Sequence, residues 1–383
     1  MAGKDQDVSD WDVIVVGAGP AGSAAALAAL ESKPDARVLL LDRAPLGRDK
    51  VCGDGIAPHT VAALDALGVR SVEPHEVVET VKLSAPGGAS SSAVTSDPGY
   101  VVPRATFDER LARAAIERGA VFVERRVTSV VPDDSGVTVD GQDRAPVLIA
   151  ADGANSVVRR AIGQGHNAKR ALAVAVRGYA PTPKGRPREL EIRWDARRAG
   201  GLCYAWSFPT ANGTSNVGYG MSAAALTNGR AELEERMRLL LPDHDLDGVE
   251  LSGHNLPLSV ATPQFAVGRV LLTGDAASLI NPLTGEGIYS AVASGIMAGR
   301  AAVTDAASAG ERYSRELREK FGRQHRQLRL VYPLVDSKAV LDAVIRACST
   351  NRGTFDRLLD VGLGESSFRM RDVGTLLRHL VRR

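Results

Sequence analysis

Residues 17–22 read Gly-Ala-Gly-Pro-Ala-Gly, and the acid Asp42 closes the apolar run that comes next, followed by Arg43. In this G-x-G-x-x-G spacing Gly17 permits a tight turn, Gly19 lets a pyrophosphate approach the backbone, and Gly22 lets a helix pack on a strand. A helix that starts there offers free N–H groups to phosphate oxygens, and an acid at the position of Asp42 accepts a ribose hydroxyl. The chemistry predicted is dinucleotide binding. A second glycine-bearing helix start, Gly285-Glu286-Gly287-Ile288, follows Gly274-Asp275 and suits a phosphate or a cofactor carbonyl. Cys52 stands before Gly53-Asp54-Gly55, a tight backbone path. Its spacing fits a small buried hydrophobe as well as a thiol placed at a ligand. Arg104 is readable as a phosphate clamp or as a solvated loop charge.

These residues need elements to hold them. Asp12-Val13-Ile14-Val15-Val16 and Arg37-Val38-Leu39-Leu40-Leu41 are runs of buried parallel-strand type. The alanine-rich stretch 23–30 between them is a helix by propensity, which makes one βαβ unit. Further buried strands are predicted at 146–150, ending in Asp152-Gly153, and at 269–272, ending in Gly274-Asp275. Their ends are expected at one sheet edge, where α/β sheets bind ligands. Thr106 and Glu109 read as a capping box, predicting a helix from there to Arg118, and strands are expected over 77–83, 121–131 and 137–139. From 170 to 260 the texture becomes alternating. Asn212-Gly213 predicts a two-residue hairpin turn pairing Phe208 with Val217, Trp206 with Tyr219 and Tyr204 with Met221, all on one face. That face is either core or the wall of an apolar pocket. The region 311–383 is helical and basic, with a solvated face as one reading and contact with anionic lipid as the other.

Composition excludes several classes. The chain has 383 residues, a net charge of +2 and three cysteines, far apart and without a C-x-x-C. It has no charge signature of nucleic-acid binding, and neither a disulfide framework nor a metal site is expected. The segment 1–7 is polar, without the apolar core of a signal peptide. The acidic run at 243–248 mimics a calcium loop but places His254 where a bidentate Glu is required. There is no H-E-x-x-H or G-x-S-x-G hydrolase motif.

Three separated blocks agree: Gly17 to Gly22 with Asp42-Arg43, then Ala151-Asp152-Gly153, then Gly274-Asp275 with Gly285 to Ile288. Together they resemble the FAD-dependent oxidoreductases with the para-hydroxybenzoate-hydroxylase-like fold. Lys50-Val51-Cys52-Gly53-Asp54-Gly55, Tyr204-Ala205-Trp206-Ser207-Phe208-Pro209 with its Asn216-Val217-Gly218 return, and Gly274-Asp275-Ala276-Ala277 running into Asn281-Pro282-Leu283-Thr284-Gly285-Glu286-Gly287-Ile288 are most similar to the geranylgeranyl reductase family. The likeness covers most of residues 10–300 and fades beyond.

The resemblance implies an α/β fold: a Rossmann-like FAD-binding domain (1–75, 99–165, 266–310), an inserted antiparallel β-sheet substrate domain (76–98, 166–265) and C-terminal helices (311–383). It assigns FAD contacts to Gly17, Gly19, Ala21, Gly22, Asp42, Arg43, Cys52, Gly53, Arg104, Val127, Asp275, Gly285, Gly287 and Ile288. Cys52 becomes the candidate catalytic residue, and Tyr204, Trp206, Phe208 and Pro209 the candidate substrate wall. The implied activity is reduction of prenyl C=C bonds, with NAD(P)H or a small redox protein as external reductant. A flavin monooxygenase of an apolar, terpenoid-like substrate is the alternative, and a non-catalytic prenyl-binding escort the third. The expected location is cytoplasmic, with peripheral contact at the inner face of the membrane as an open question.

Overall fold

The computed structural model describes residues 9–185, 188–195, 201, 203–261, 263–364 and 366–369. The segment 1–7, Leu202 and the basic stretch 370–383 lie outside the described residues. The strand Val13–Val16 is the centre of the architecture. It pairs in parallel with Val38–Asp42 on one side and Val147–Ala150 on the other, and all four of its residues are buried. Val121–Glu124 continues the sheet beyond Val38–Asp42, and Val270–Leu272 with Ala266–Val267 continues it beyond Val147–Ala150. Continuous β-branched and leucine runs form such strands because both faces are covered.

Register brings the carboxyl ends into line. Gly17 N donates to Leu41 O at 2.6 Å, Ala151 N to Val16 O at 2.8 Å and Thr273 N to Ala150 O at 2.9 Å. Helices Pro20–Ser32 and Ile288–Thr304 pack together on this sheet. A Cβ on Gly295 or Gly299 would overlap the carbonyl oxygens of Ala21 or Ala25, so the small residues of both helices allow their backbones to touch.

A second sheet of eight strands among the described residues carries the aromatic wall, in the order Ser252–Pro257, Leu172–Pro181, Thr214–Ser222, Cys203–Pro209, Glu189–Trp194, Val77–Ser84, Ser90–Val101, Gly55–Ile56. One face buries Ala205, Val217, Tyr219 and Met221 under Leu233 and Met237 of the helix Gly229–Leu240. The other gathers Trp194, Tyr204 and Trp206 with Leu341, Ile345 and Phe355 of the C-terminal helices.

The hairpin differs from the expected register. Thr210 N donates to Thr214 O at 2.8 Å, closing a three-residue turn with Gly213 at φ +83°. Phe208 therefore faces Asn216, Trp206 faces Gly218 and Tyr204 faces Gly220. Because side chains alternate with period two, this one-residue slip sends Val217, Tyr219 and Met221 to the opposite face. The glycines become the floor beneath the rings, and a Cβ on Gly218 would overlap Trp206.

Two local expectations are also corrected. The helix begins at Arg104, not Thr106, with Pro103 at its N-cap and no side-chain cap; Glu109 pairs with Arg113 instead of capping. The stretch 121–131 is two strands in different sheets, Val121–Glu124 and Val130–Pro132.

Candidate active site

Around the Gly17 turn the backbone is tightly held. Gly17 has φ +106°, and a Cβ there would overlap Ala151 O; one on Gly22 would overlap Gly17 O. Gly19 is different. A Cβ there would come no nearer than 3.8 Å to its closest protein neighbour, Asp108 Oδ2, so the protein's own packing does not demand the missing side chain. The space it leaves adjoins a helix N-terminus with no side-chain cap and no acid in its first turn. Asp42 is buried at the next strand end and accepts Ala18 N at 2.8 Å and Ala44 N at 3.1 Å. An open cradle, uncapped N–H groups and a fixed acid fit the pyrophosphate and ribose of a dinucleotide. Arg43 is exposed beside it, whereas Val127 is buried in the core of this sheet.

From this edge a cavity of about 650 Å³ extends to the second sheet. It brings together Cys52, Gly53, Arg104, Asp275, Gly285, Gly287 and Ile288 with Tyr204, Trp206 and Phe208. Pro209 is buried but, by strand alternation, on the face opposite these rings. The rings form a continuous wall, Tyr204 to Trp206 at 5.8 Å and Trp206 to Phe208 at 6.4 Å between centroids. Tyr204 OH donates to Thr284 O, tying the wall to the loop before helix Ile288–Thr304. Thr284 Oγ1 in turn donates to Gly362 O at 2.7 Å, bringing in the C-terminal helix Arg352–Leu363.

The Cys52 loop is held by a buried network. Asn216, fully buried, donates through Nδ2 to Cys52 O and to Asp54 Oδ2, both at 2.7 Å, and accepts Trp206 Nε1 at 2.9 Å. Asp54 adopts φ +64° and also accepts the Tyr179 hydroxyl at 2.5 Å. Burial pushes its carboxyl up, against the hydrogen bonds from Tyr179 and Asn216. Arg104, 3 % exposed, makes a two-pronged pair with Asp108 at 2.6 and 2.7 Å through Nε and Nη2. It lies beside the Cys52 thiol. It is thus a positioned and internally neutralised cation, with Nη1 outside the Asp108 pair.

At the other edge of the cavity Lys50 Nζ meets Asp275 Oδ2 at 3.0 Å. Burial raises the Asp275 carboxyl, but Lys50 and His254 outweigh it and keep it ionised. His254 is pushed down to about 4 by burial and by Lys50, and its buried Nε2 has no hydrogen-bond partner among the described residues. Such an orphaned polar atom in a cavity wall fits a ligand that completes it. Glu286, between Gly285 and Gly287, accepts Tyr289 N at 2.6 Å. Burial lifts its carboxyl to about 7, against the Tyr289 and Ile288 N–H groups and reinforced by Asp275. It can therefore carry a proton near neutrality inside an apolar chamber.

Residues 10–301 match the family model described as an FAD binding domain. The chain is 34% identical over 323 residues to menaquinone reductase of Mycolicibacterium smegmatis, covering 78% of each chain. The chain belongs to the geranylgeranyl reductase family of FAD-dependent oxidoreductases. A second member, digeranylgeranylglycerophospholipid reductase 1 of Methanopyrus kandleri, is 32% identical over 359 residues, 87% of this chain and 93% of the relative. The fold matches that of a geranylgeranyl bacteriochlorophyll reductase-like protein from Thermoplasma acidophilum, with a TM-score of 0.80, 23% identity and coverage of 98% and 96%. The flavin-dependent halogenase CmlS shares it more distantly, with a TM-score of 0.67, 20% identity and coverage of 97% and 70%.

Within this geranylgeranyl reductase fold, the residues missed by sequence reasoning are Asn216, Asp54, His254 and Glu286. A signal existed for Glu286, an acid flanked by two glycines at a helix start. Asn216 stood only in the return strand of the Tyr204 to Pro209 motif, with no role assigned, because its partners lie 164 and 162 residues away.

Proposed function

We propose that this member of the family reduces isolated C=C bonds of a prenyl chain lying along the Tyr204, Trp206 and Phe208 wall. The observation that carries the reading is the apolar cavity itself, which joins that wall to the edge where Lys50, Arg104, His254, Asp275 and Glu286 gather. The names of the relatives, which include a geranylgeranyl lipid reductase, agree with it. Reduced FAD, held at that edge, would supply a hydride to one carbon of the double bond. An unactivated alkene needs a proton at the other carbon, and water must be kept away from both.

The chain's own residues meet these needs in distinct ways. Gly17, Gly19, Gly22 and Asp42 hold the dinucleotide end. Lys50, Arg104 and Asp275 set the charge at the cofactor edge, and the rings exclude water along the prenyl chain. Glu286 is the acid whose ordinary range has been moved to neutrality, and Cys52, fixed through its carbonyl by Asn216, presents a thiol to the same chamber. Electrons arrive from NAD(P)H or a small redox protein. The test is a single turnover under nitrogen: flavoprotein reduced to the colourless state is mixed with a geranylgeranyl lipid. Return of the oxidised flavin absorbance supports the reading, and a spectrum that stays reduced until air is admitted contradicts it.

A further inference from the structure

The cavity opens onto a surface with an unusual composition. Two of its lining residues, Leu330 and Leu334, are 78% and 49% exposed, with exposed Pro333 beside them. Exposed leucines scattered singly mean nothing, but two that are at once outer surface and cavity wall mark a mouth. They stand where the helix Ala309–Val331 passes into the turn Tyr332–Leu334. That helix buries Tyr313, Leu317, Phe321 and Leu328, which fixes the face it turns outward. Its first half interleaves Glu311, Glu316 and Glu319 with its cations, but residues 320–335 contain no acid. Arg323 and Arg326 are exposed there, with Arg329 partly so, and none of the three has an ion-pair partner among the described residues. Of the other lining residues, Arg369 and Asp97 are also exposed. No helix among the described residues is long and apolar enough to cross a membrane.

We propose that this rim docks on an anionic lipid bilayer, with Leu330 and Leu334 entering the acyl boundary and Arg323, Arg326 and Arg329 meeting lipid phosphates. The arginines supply the charge complementarity, and the leucines make the apolar interior of the cavity continuous with that of the bilayer. A protein partner is disfavoured by size, since a stable protein interface needs about 800 Å² from each side, far more than two leucines and a proline present. The inference rests on the prenyl reading only for what passes through the mouth; docking itself needs no substrate.

The test sediments the full-length flavoprotein with extruded vesicles that contain no prenyl lipid, either neutral phosphatidylcholine or the same lipid with about a third phosphatidylglycerol. Binding should be at least about tenfold tighter to the anionic vesicles, since each surface arginine contributes roughly fivefold. Replacing all three arginines by Gln should weaken it on the order of a hundredfold. Leu330→Glu with Leu334→Glu should weaken it by about tenfold or more, with flavin content and melting temperature unchanged because both sites are exposed. Leu330→Trp should give an emission blue shift on anionic vesicles. Equal binding to both vesicle types, or binding indifferent to the Leu330 and Leu334 changes, overturns the proposal. So does a dimer that Leu330→Glu converts to monomer, which would assign the rim to a second copy. A protein that docks but reduces no prenyl lipid sinks the functional reading alone. One that reduces detergent-dispersed prenyl lipid but never docks sinks the docking alone.

Discussion

Asn216→Asp is the most informative single change, because it keeps the side chain's shape and removes only its donors. The oxygen that accepts Trp206 Nε1 remains, but Cys52 O and Asp54 Oδ2 each lose the partner now 2.7 Å away. Asp54 Oδ2 keeps the Tyr179 hydroxyl, so Cys52 O is the acceptor left without its donor; leaving such a group unsatisfied costs about 1–3 kcal/mol, and the loss should be about that much. A second carboxylate also arrives against Asp54, and repulsion between two like charges at that distance makes one of the pair take up a proton more readily as pH falls. That proton can rebuild one hydrogen bond, so the loss should shrink on acidification. Urea unfolding followed by tryptophan fluorescence near neutral pH and again near about pH 5 measures both effects. The full loss is expected near neutrality, a smaller one in acid, and faster alkylation of Cys52 as its loop loosens. A stability change under about 0.5 kcal/mol with no pH dependence would show that Asn216 does not hold the loop.

Glu286→Gln tests the raised carboxyl. A folded-state value of about 7 against an ordinary 4.5 means the folded protein binds more protons through that window, so wild-type stability should fall as pH rises across it. The variant should lose this dependence in pH-resolved thermal melts, and its single-turnover rate should lose any decline above neutrality. Trp206→Ala should cost about 3–5 kcal/mol by leaving a cavity in the wall, read by denaturant unfolding. Gly218→Val should push Trp206 off its floor, costing about 1–3 kcal/mol and raising KM for a prenyl substrate more than it lowers kcat. Gly17→Ala, at φ +106° and against Ala151 O, should yield colourless protein on purification, with flavin content read from the absorbance spectrum.

The parallel sheet and its ligand edge were legible in the sequence because each signal there is local. The runs at 13–16, 38–41 and 147–150 are apolar throughout, and glycine or aspartate follows at each carboxyl end. The hairpin register was not legible. Asn212-Gly213 announces a turn, but the length of the turn depends on Thr210 and Thr214 closing around Asn212 Oδ1, and one residue of difference reversed the face of Val217, Tyr219 and Met221. The capping box failed for a similar reason: Asp54, fifty positions away, accepts Arg104 N at 3.3 Å and fixes an earlier start. At the site, Cys52, Arg104 and the aromatic residues could be named, but their coupling could not. Asn216, Asp54 and His254 acquire roles only through burial and contacts between distant strands, and periodicity carries no information about either.

On the proposed function the apolar chamber delivers hydrogen, not oxygen, to an alkene. The most direct measurement incubates dithionite-reduced protein with a geranylgeranyl lipid under nitrogen and weighs the product by mass spectrometry. The expected product has gained hydrogen and no oxygen. A product that forms only after air is admitted, and carries oxygen, would contradict it.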